Sequence, residues 1–363
     1  MTSKERIQNI LNHRPVDRVG IYEHFWGETV ELYKKQRHIT PDENSIDLNL
    51  SGHFGFDIQV AYGAVKFIAD IGFVPKVIDE TEETVTTLDG NGASLRSLKN
   101  QTCTPEHIDF SVKTGNDWRE LRELVKQYDE RRINFESYRK SKKDSEKSNR
   151  FFAVASVNVF EAMHPVCGHE NMLMGMALEP EWIAEMADTY ADFIISNHET
   201  LFSKEGKPDA IWFYEDMGFK ERPFMSPDMY RELIKPAHKK TIGFFKANGI
   251  SVIMHSCGYI RPLLPDMIDA GIDCLQAMEV KAGMDLLEIY KNFGDKIALI
   301  GGIDIRALCT NDKKIIDKEL ESKIPIVKAG MGYVVHSDHS VPEDVEYDTY
   351  RYFMEKALEL GKY

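Results

Sequence analysis

The apolar run Phe151-Phe-Ala-Val-Ala-Ser-Val157 starts a regular alternation of short apolar runs with helical patterns, and this alternation indicates the fold class. Five further runs follow, and each is separated from the next by a segment with helical periodicity. Most of the runs are apolar on both faces, which is typical of parallel strands covered by helices. The five runs are Asp209–Tyr214, Ile250–Met254, Asp273–Met278, Lys296–Ile300 and Gly332–Val335.

Two more apolar runs precede residue 150, at residues 19–22 and 58–61, so the sequence predicts eight strands. Eight strands in alternation with helices predict an α/β fold, namely a single (β/α)8 TIM barrel with an N-terminal extension. We expect this one domain to span residues 1–363. A doubly wound sheet is the alternative, but no GxGxxG follows the first strand and no GxxxxGK[ST] motif occurs.

Before residue 150 the pattern differs from the strand–helix alternation. Residues 81–98 predict a β-hairpin that turns at Asp89-Gly90. The run from Arg139 to Arg150 is almost purely polar and predicts a solvated surface loop. After residue 150, helices are predicted at residues 180–201, 226–248, 262–270, 283–292, 312–329 and 347–360.

The charge balance limits the classes of partner. The chain contains 45 Lys and Arg residues against 59 Asp and Glu residues, a formal net charge of −14, which disfavours a nucleic-acid binder. Its longest apolar stretch is far shorter than the ~20 residues of a membrane helix, and no signal peptide is visible. Five separated cysteines without a CxxC pair favour a reducing compartment. We therefore expect a cytoplasmic protein without nucleic-acid or membrane partners, and the sequence leaves a homodimer open.

Polar side chains follow seven of the eight predicted strands. In a (β/α)8 barrel the active site lies at the C-terminal ends of the strands, so these side chains are expected to share one pocket. Trp26, shortly after the first strand, could form a wall for an aromatic substrate. The residues expected to bind substrate are Glu23, His24, Trp26, Asn158, Gln276 and Asp304.

The sharpest local feature is Met254-His-Ser-Cys-Gly258, in which His255 and Cys257 stand two residues apart. In an extended chain, residues i and i+2 point to the same side, so an imidazole and a thiolate could meet at one metal ion. Zn2+ accepts this pair of donors. The alternative is a small buried thiol beside a hydrogen-bonded pocket histidine. Further ligands would come from other strand ends, which offer Glu215, Asp216, His336, Asp338 and His339.

Two doublets are candidates for acid–base catalysis. Glu215-Asp216 could orient a substrate, donate a proton or ligate a metal. In Asp338-His339 the carboxylate could orient the imidazole. The alternative for both doublets is a structural role, in which they cap helices or loops. The remaining cysteines are expected to be structural, namely Cys103, Cys167, Cys274 and Cys309.

Several blocks of the chain resemble the uroporphyrinogen decarboxylase-like superfamily. They lie in order over nearly the whole chain, and the resemblance implies a single (β/α)8 barrel, in agreement with the strand count. The blocks are His13–Val19, Glu215–Gly218, Met225–Tyr230, His255–Gly258, Gly301–Asp304 and Ser337–Pro342.

The two branches of this superfamily differ in the sequence motifs that they require. The cofactor-free decarboxylases hold the carboxylates of a tetrapyrrole with N-terminal arginines, but here Glu23-His-Phe-Trp-Gly27 follows the first strand without an arginine-rich motif. The corrinoid-linked methyltransferases bind zinc through an HxC pair and a distant cysteine near the last strand. This chain keeps His255 and Cys257 but has His336-Ser-Asp-His339 where that cysteine is expected.

The resemblance therefore implies a methyltransferase of the corrinoid-dependent type. The expected reaction is zinc-assisted methyl transfer between a small methylated substrate or a thiol and a corrinoid. Because the chain has no DxHxxG motif, the corrinoid is expected on a separate binding protein. Glu215, Asp216 and His339 would serve as further ligands or acid–base groups. Cofactor-free decarboxylation of a polycarboxylate is the alternative, and a non-catalytic binding barrel is a third hypothesis.

Overall fold

The computed structural model describes residues 1–39, 50–100 and 105–363, and its strands form two sheets. The larger sheet supplies the barrel and the smaller one lies in the segment before residue 150. The strands within the described ranges are β1 (Gly20–Ile21), β2 (Ile58–Ala61), β3 (Lys76–Glu80), β4 (Thr84–Leu88), β5 (Ala93–Leu98), β6 (Glu106–Phe110), β7 (Phe151–Val157), β8 (Ala210–Tyr214), β9 (Ser251–Ser256), β10 (Cys274–Ala277), β11 (Ala298–Gly301) and β12 (Tyr333–Val335).

Eight of the described strands form one parallel sheet in the order β1-β12-β11-β10-β9-β8-β7-β2. Neighbours in the sheet follow one another along the chain, and β12 pairs with β1, so the sheet curls into a nearly closed barrel. At the seam between β1 and β2, the backbone N–H of Asp57 donates to the carbonyl of Ile21 at 2.9 Å. The predicted α/β barrel is confirmed.

Helices pack around the barrel, and those predicted after residue 150 are confirmed within a few residues at their ends. A π-helical turn at Tyr230–Ile234 joins two of them. The α-helices in the described chain are α1 (Ser3–Leu11), α2 (Gly27–Lys35), α3 (Ser51–Phe54), α4 (Gly115–Lys126), α5 (Phe135–Ser148), α6 (Val159–Leu178), α7 (Pro180–Glu205), α8 (Pro227–Met229), α9 (Lys235–Ala247), α10 (Leu264–Ala270), α11 (Leu286–Phe293), α12 (Ile305–Cys309), α13 (Lys313–Val327) and α14 (Tyr347–Leu360).

The prediction of a surface loop at residues 139–150 is wrong, because most of this run belongs to helix α5. The side chain of Asn134 accepts the N–H of Ser137 at 3.0 Å and caps the helix. Tyr138 and Ser145, seven residues apart, are both buried and anchor one face. The charged residues between them occupy the solvated face. Because the buried stripe of this helix is narrow, its composition is mostly polar and resembles that of a loop.

The smaller sheet lies between β2 and β7 along the chain. It is an antiparallel meander in the order β3-β4-β5-β6. The predicted hairpin is confirmed by the pairing of β4 with β5, and Asp89 accepts the N–H groups of Asn91 and Ala93 in its turn. Helix α6 was not predicted, because Pro165 and the positive φ of Gly168 interrupt its pattern.

The side chain of Trp212 is completely buried in the barrel. Cys167 and Cys274 are buried as well, and Cys309 is half-buried, whereas Cys103 lies outside the described residues. No described helix combines the length and the apolar character that crossing a bilayer requires.

Candidate active site

A carboxylate, an imidazole and a thiol converge where β8 and β9 end. Asp216 lies just beyond β8, His255 lies near the end of β9, and Cys257 directly follows β9. The donor atoms of the three side chains lie within 4.8 Å of one another. His255 Nε2 is 3.4 Å from Cys257 Sγ and 3.3 Å from Asp216 Oδ1. We call these three residues, which could hold a metal ion, the metal cluster.

The backbone explains why the two loops meet at this point. His255 and Cys257 point into the cluster, whereas Ser256 between them is buried and its hydroxyl accepts a backbone N–H from the loop after β8. The loops after β8 and β9 touch at Gly218 and Gly258. A Cβ on Gly218 would lie 2.5 Å from the carbonyl oxygen of Cys257, and Gly258 has a φ of 75°. Only glycine allows so close an approach.

Hydrogen bonds orient the potential ligands. The side-chain Oε1 of Gln276 on β10 contacts His255 Nδ1, so this nitrogen carries a proton and donates it. In the neutral imidazole, Nε2 then keeps the lone pair that a metal ion requires. The backbone N–H of Cys257 donates to Asp216 Oδ1 at 2.8 Å. Such contacts fix the tautomer and direction of metal ligands.

The metal cluster attracts positive charge. Burial alone would lower the pKa of His255, but the neighbouring Cys257 and Asp216 raise it well above its ordinary value. Burial alone would raise the pKa of Asp216, but the hydrogen bond and charge of His255 lower it. The same attraction that holds a proton on His255 favours a divalent cation, which competes with that proton.

The donor set fits zinc. Zn2+ takes sulfur, nitrogen and oxygen ligands in proteins, and catalytic zinc sites combine three protein ligands with one position for water or substrate. Asp216, His255 and Cys257 are all half-buried, so a fourth ligand can reach them. The three side chains therefore suit a catalytic metal better than a closed structural site.

Glu215, the other carboxylate of its doublet, does not join the metal cluster. It is completely buried, and its two oxygens accept the N–H groups of Phe160 at 2.8 Å and Glu161 at 3.0 Å. His238 Nε2 lies 2.6 Å from Glu215 Oε1. These contacts hold the first turn of α6 against β8, which corresponds to the structural alternative for this residue.

Three more predicted site residues also bind backbone or begin helices. Asp338 accepts the N–H groups of Val280 and Ile305, each at 2.8 Å, and burial raises the pKa of its carboxyl. Asp304 accepts an N–H from the first turn of α12. Asn158 is buried at the start of α6. Their polar groups shape the loops around the pocket.

His339 and Trp26 meet beyond the ends of β12 and β1. Their ring centroids are 5.8 Å apart, and 47% of Trp26 is exposed. The structure thus brings together one predicted catalytic residue and one predicted substrate-binding residue at the rim of the barrel.

A second polar group lies beside the metal cluster and contains two residues that the sequence analysis missed. His24 Nε2 lies 2.6 Å from the Tyr62 hydroxyl and 3.2 Å from the Tyr214 hydroxyl. The Tyr214 ring lies 4.8 Å from the His255 ring, centroid to centroid. We call His24, Tyr62 and Tyr214 the His24 wall. Tyr62 directly follows β2, the one predicted strand without a predicted polar side chain at its end, and Tyr214 is the last residue of β8.

Buried side chains support the His24 wall from behind. His24 Nδ1 lies 3.0 Å from His336 Nε2, and Glu23 Oε1 lies 3.2 Å from His336 Nδ1. Burial raises the pKa of Glu23 to about 8, although N–H donors from Ser337 and His24 oppose the shift. Gln276 Nε2 lies 3.5 Å from His336 Nε2, so one amide side chain links the metal cluster to this group.

A comparison with known protein families identifies the family of this chain. The family model described as uroporphyrinogen decarboxylase (URO-D) matches residues 102–360, which are more than two thirds of the chain. The chain belongs to the uroporphyrinogen decarboxylase family. The predicted resemblance to uroporphyrinogen decarboxylase-like proteins is confirmed.

Curated relatives share shorter segments with this uroporphyrinogen decarboxylase family member. A methylated-thiol–coenzyme M methyltransferase of Methanosarcina mazei is 26% identical over 149 residues, which cover 40% of this chain and 37% of that protein. The methylcobamide:CoM methyltransferase MtaA of Methanosarcina barkeri is 38% identical over 80 residues, 22% of each chain. Both matches therefore span well under half the length of these relatives.

A solved structure supports the fold over the full length. A methyltransferase from Methanosarcina mazei superposes with a TM-score of 0.67 and covers 99% of both chains at 14% sequence identity. At this identity the likeness establishes the shared barrel fold.

Proposed function

We propose that this protein is a corrinoid-dependent methyltransferase. It moves a methyl group between a small methylated substrate or a thiol and a separate corrinoid-binding protein, with zinc in the metal cluster. The observation that carries the proposal is the convergence of Asp216, His255 and Cys257 at the C-terminal end of the barrel. The methyltransferase names of both curated relatives, one of them acting on a methylcobamide, support the same reaction class.

Asp216 is the third ligand in this proposal. The superfamily resemblance implies a cysteine near the last strand, but His336-Ser-Asp-His339 stands there. Asp338 in that segment already binds two backbone N–H groups. Asp216 lies 3.3 Å from His255 Nε2 and offers an anionic oxygen, so the ligand set would be one sulfur, one nitrogen and one oxygen.

Each ligand has a defined task in this site. A bound zinc ion would supply a Lewis acid that favours a deprotonated thiol and polarises the heteroatom bearing the methyl group. Gln276 holds the proton of His255 at Nδ1 and leaves Nε2 free as a donor. The N–H of Cys257 holds Asp216 in place. The half-buried positions of the three ligands leave room for the substrate heteroatom.

Methyl exchange with free methylcobalamin tests the proposal. Zinc-loaded protein is mixed with methylcobalamin and 2-mercaptoethanol, and the loss of the methylcobalamin absorbance is followed. Cys257→Ser should slow the exchange by more than the roughly 10- to 100-fold that loss of a supporting hydrogen bond costs. Cys309→Ser is the matched control, because Cys309 is also a half-buried cysteine but lies in helix α12. This variant should exchange like the unmodified protein. Equal rates for both variants, or no exchange above the protein-free rate, would contradict the proposal.

A further inference from the structure

The loop after β9, rather than the barrel sheet, determines the position of Cys257. The ladder between β9 and β10 ends with Ser256 opposite Ala277, directly before Cys257. From this point onwards the backbone leaves the sheet, so hydrogen bonds of the loops have to fix the thiol relative to His255 on β9. The contacts of Cys257 and Gly258 therefore decide how well the metal cluster is formed.

Carboxylates from two neighbouring loops accept the N–H groups of these two residues. The N–H of Cys257 donates to Asp216 Oδ1 at 2.8 Å. The N–H of Gly258 donates to Glu279 Oε2 at 2.7 Å. Asp216 follows β8 and Glu279 follows β10, so the segment is held from both sides. Hydrogen bonds from an N–H to a carboxylate are roughly twice as strong as those between neutral groups.

The two carboxylates differ in their relation to the metal. Asp216 Oδ1 also lies 3.3 Å from His255 Nε2 and belongs to the metal cluster, so the same side chain has to serve the ion and the loop. Glu279 lies outside the metal cluster, and its second oxygen, Oε1, is 3.2 Å from the Lys281 ammonium. Glu279 is therefore the contact that can hold Cys257 equally in the metal-free and the metal-bound protein.

The segment that carries Glu279 is itself fixed. The N–H of Val280 donates at 2.8 Å to Asp338 Oδ2, and Asp338 follows β12. The Glu279 side chain is 12% exposed, so solvent reaches little of it. An acceptor on a held segment keeps its direction, which is what a supporting group of a metal site requires. Asp338 thus supports the metal cluster indirectly, through the segment of Glu279.

We propose that Glu279 is a positioning residue of the metal cluster, which holds Cys257 in the place where its thiolate can share an ion with His255. This inference rests on the proposed function for the presence of a metal ion. It adds a residue outside the three ligands on which metal binding depends. Glu279 acts through the N–H of Gly258 and touches neither the ion nor the substrate.

Cobalt(II) binding tests the proposal without any measurement of activity. Co2+ accepts the same kinds of ligand as Zn2+, and its bond to a thiolate gives a charge-transfer band in the near ultraviolet. Glu279→Ala should weaken the binding of both ions roughly 10- to 100-fold, as loss of a supporting hydrogen bond does. The band should also be weaker per bound cobalt ion, because Cys257 is no longer held in place.

Two further variants separate position from charge. Glu279→Gln loses the charge but keeps an oxygen that accepts the N–H of Gly258, so it should bind both ions within roughly threefold of the unmodified protein. Glu279→Asp keeps the charge but is one methylene too short to reach Gly258, so it should behave like Glu279→Ala. Lys281→Ala is the matched control, because it removes the ion pair of Glu279 and leaves the hydrogen bond to Gly258. Thermal unfolding of each variant checks that it folds.

The outcomes distinguish the two proposals. If the unmodified protein binds Co2+ with a thiolate band, but Glu279→Asp binds as tightly as the unmodified protein or Glu279→Gln binds as weakly as Glu279→Ala, the positioning role is overturned and the proposed function stands. If the variants behave as expected but the zinc-loaded protein exchanges no methyl group with methylcobalamin, the positioning role stands and the proposed function fails. If the unmodified protein binds neither ion, both proposals fail.

Discussion

Gln276 contacts both polar groups of the pocket, the metal cluster and the side chains behind the His24 wall. Its Oε1 accepts from the metal-ligand candidate His255, and its Nε2 lies 3.5 Å from His336 behind the His24 wall. The side chain is 2% exposed, so water cannot take over either contact. An amide suits this place because it offers an acceptor on one side and a donor on the other.

Replacing Gln276 by leucine should weaken zinc binding without removing a ligand. The Nδ1–H of His255 loses its acceptor, and loss of such a supporting contact lowers metal affinity roughly 10- to 100-fold. Competition with a chromophoric chelator measures the affinity. Gln59→Leu on β2 is the control, since Gln59 contacts Arg150 at 3.4 Å and not the cluster. Equal affinities in the two variants would show that Gln276 does not orient His255.

Glu23 should make stability depend on pH. Burial, the largest influence, raises the pKa of Glu23 from 4.5 to about 8 in the folded protein. Between these values the folded state holds a proton that the unfolded state releases, so stability falls as pH rises through this window. The loss across this window is on the order of 4 kcal/mol. Urea unfolding at pH 5 and pH 8 should show a smaller loss for Glu23→Gln than for the unmodified protein. A steeper loss in the variant would contradict the assignment.

At the scale of elements, the strand ends explain what sequence could and could not predict. Alternation along β9 is a local property, and it was sufficient to pair His255 with Cys257. Neighbouring carboxylates on one extended segment point to opposite sides, so the doublet alone could not tell that Asp216 faces the cluster while Glu215 holds α6. To predict Tyr62 as a site residue, the end of the four-residue strand β2 has to be recognised as part of the same pocket.

Helix α6 contains a glycine, Gly168, whose position against the smaller sheet leaves no room for a side chain. Gly168 has a φ of 73°, and a Cβ there would overlap the ring of Phe110 at the end of β6. Gly168→Ala should therefore destabilise the protein by about 1–3 kcal/mol. Gly243→Ala in α9, where a Cβ meets nothing within 4 Å, should stabilise it by about 0.5–1 kcal/mol. Denaturant unfolding of the pair measures both effects, and a stable Gly168→Ala variant would refute the packing of α6 on this sheet.

For the whole molecule, the ends of the sheet are joined by a buried ion pair network. Asp57, completely buried beside β2, accepts from Arg6 of α1 and from Arg18 before β1, each at 2.7 Å. It also accepts the N–H of Ile21 in β1 at 2.9 Å. The network closes the seam of the barrel, where β1 and β2 do not pair in the sheet.

Asp57→Ala should destabilise the protein by roughly 3–5 kcal/mol, because it leaves two guanidinium groups at the seam without their shared carboxylate. Glu31→Ala removes the exposed pair with Lys34 and should change stability little. Thermal unfolding of both variants tests the difference. A small effect of Asp57→Ala would mean that the seam is held by other contacts.

The barrel could be predicted from sequence because its signal is repeated, whereas the ligand set could not. Each of six apolar runs after residue 150 is modest evidence, but their regular alternation with helices leaves few folds. The third ligand comes from a different strand, and its distance from His255 depends on how β8 and β9 lie together and on the contact of Gly218 with Gly258. No local pattern encodes that distance.

The metal content of the purified protein shows whether Asp216, His255 and Cys257 hold zinc. Protein purified without chelators and exposed to zinc is dialysed, and its metal is measured by plasma mass spectrometry for the unmodified chain, Cys257→Ser, Asp216→Ala and Cys309→Ser. We expect a single zinc ion per chain in the unmodified protein and in Cys309→Ser, and its loss in the other two. Retention of zinc by Cys257→Ser and Asp216→Ala, or no zinc in the unmodified chain, would contradict this expectation.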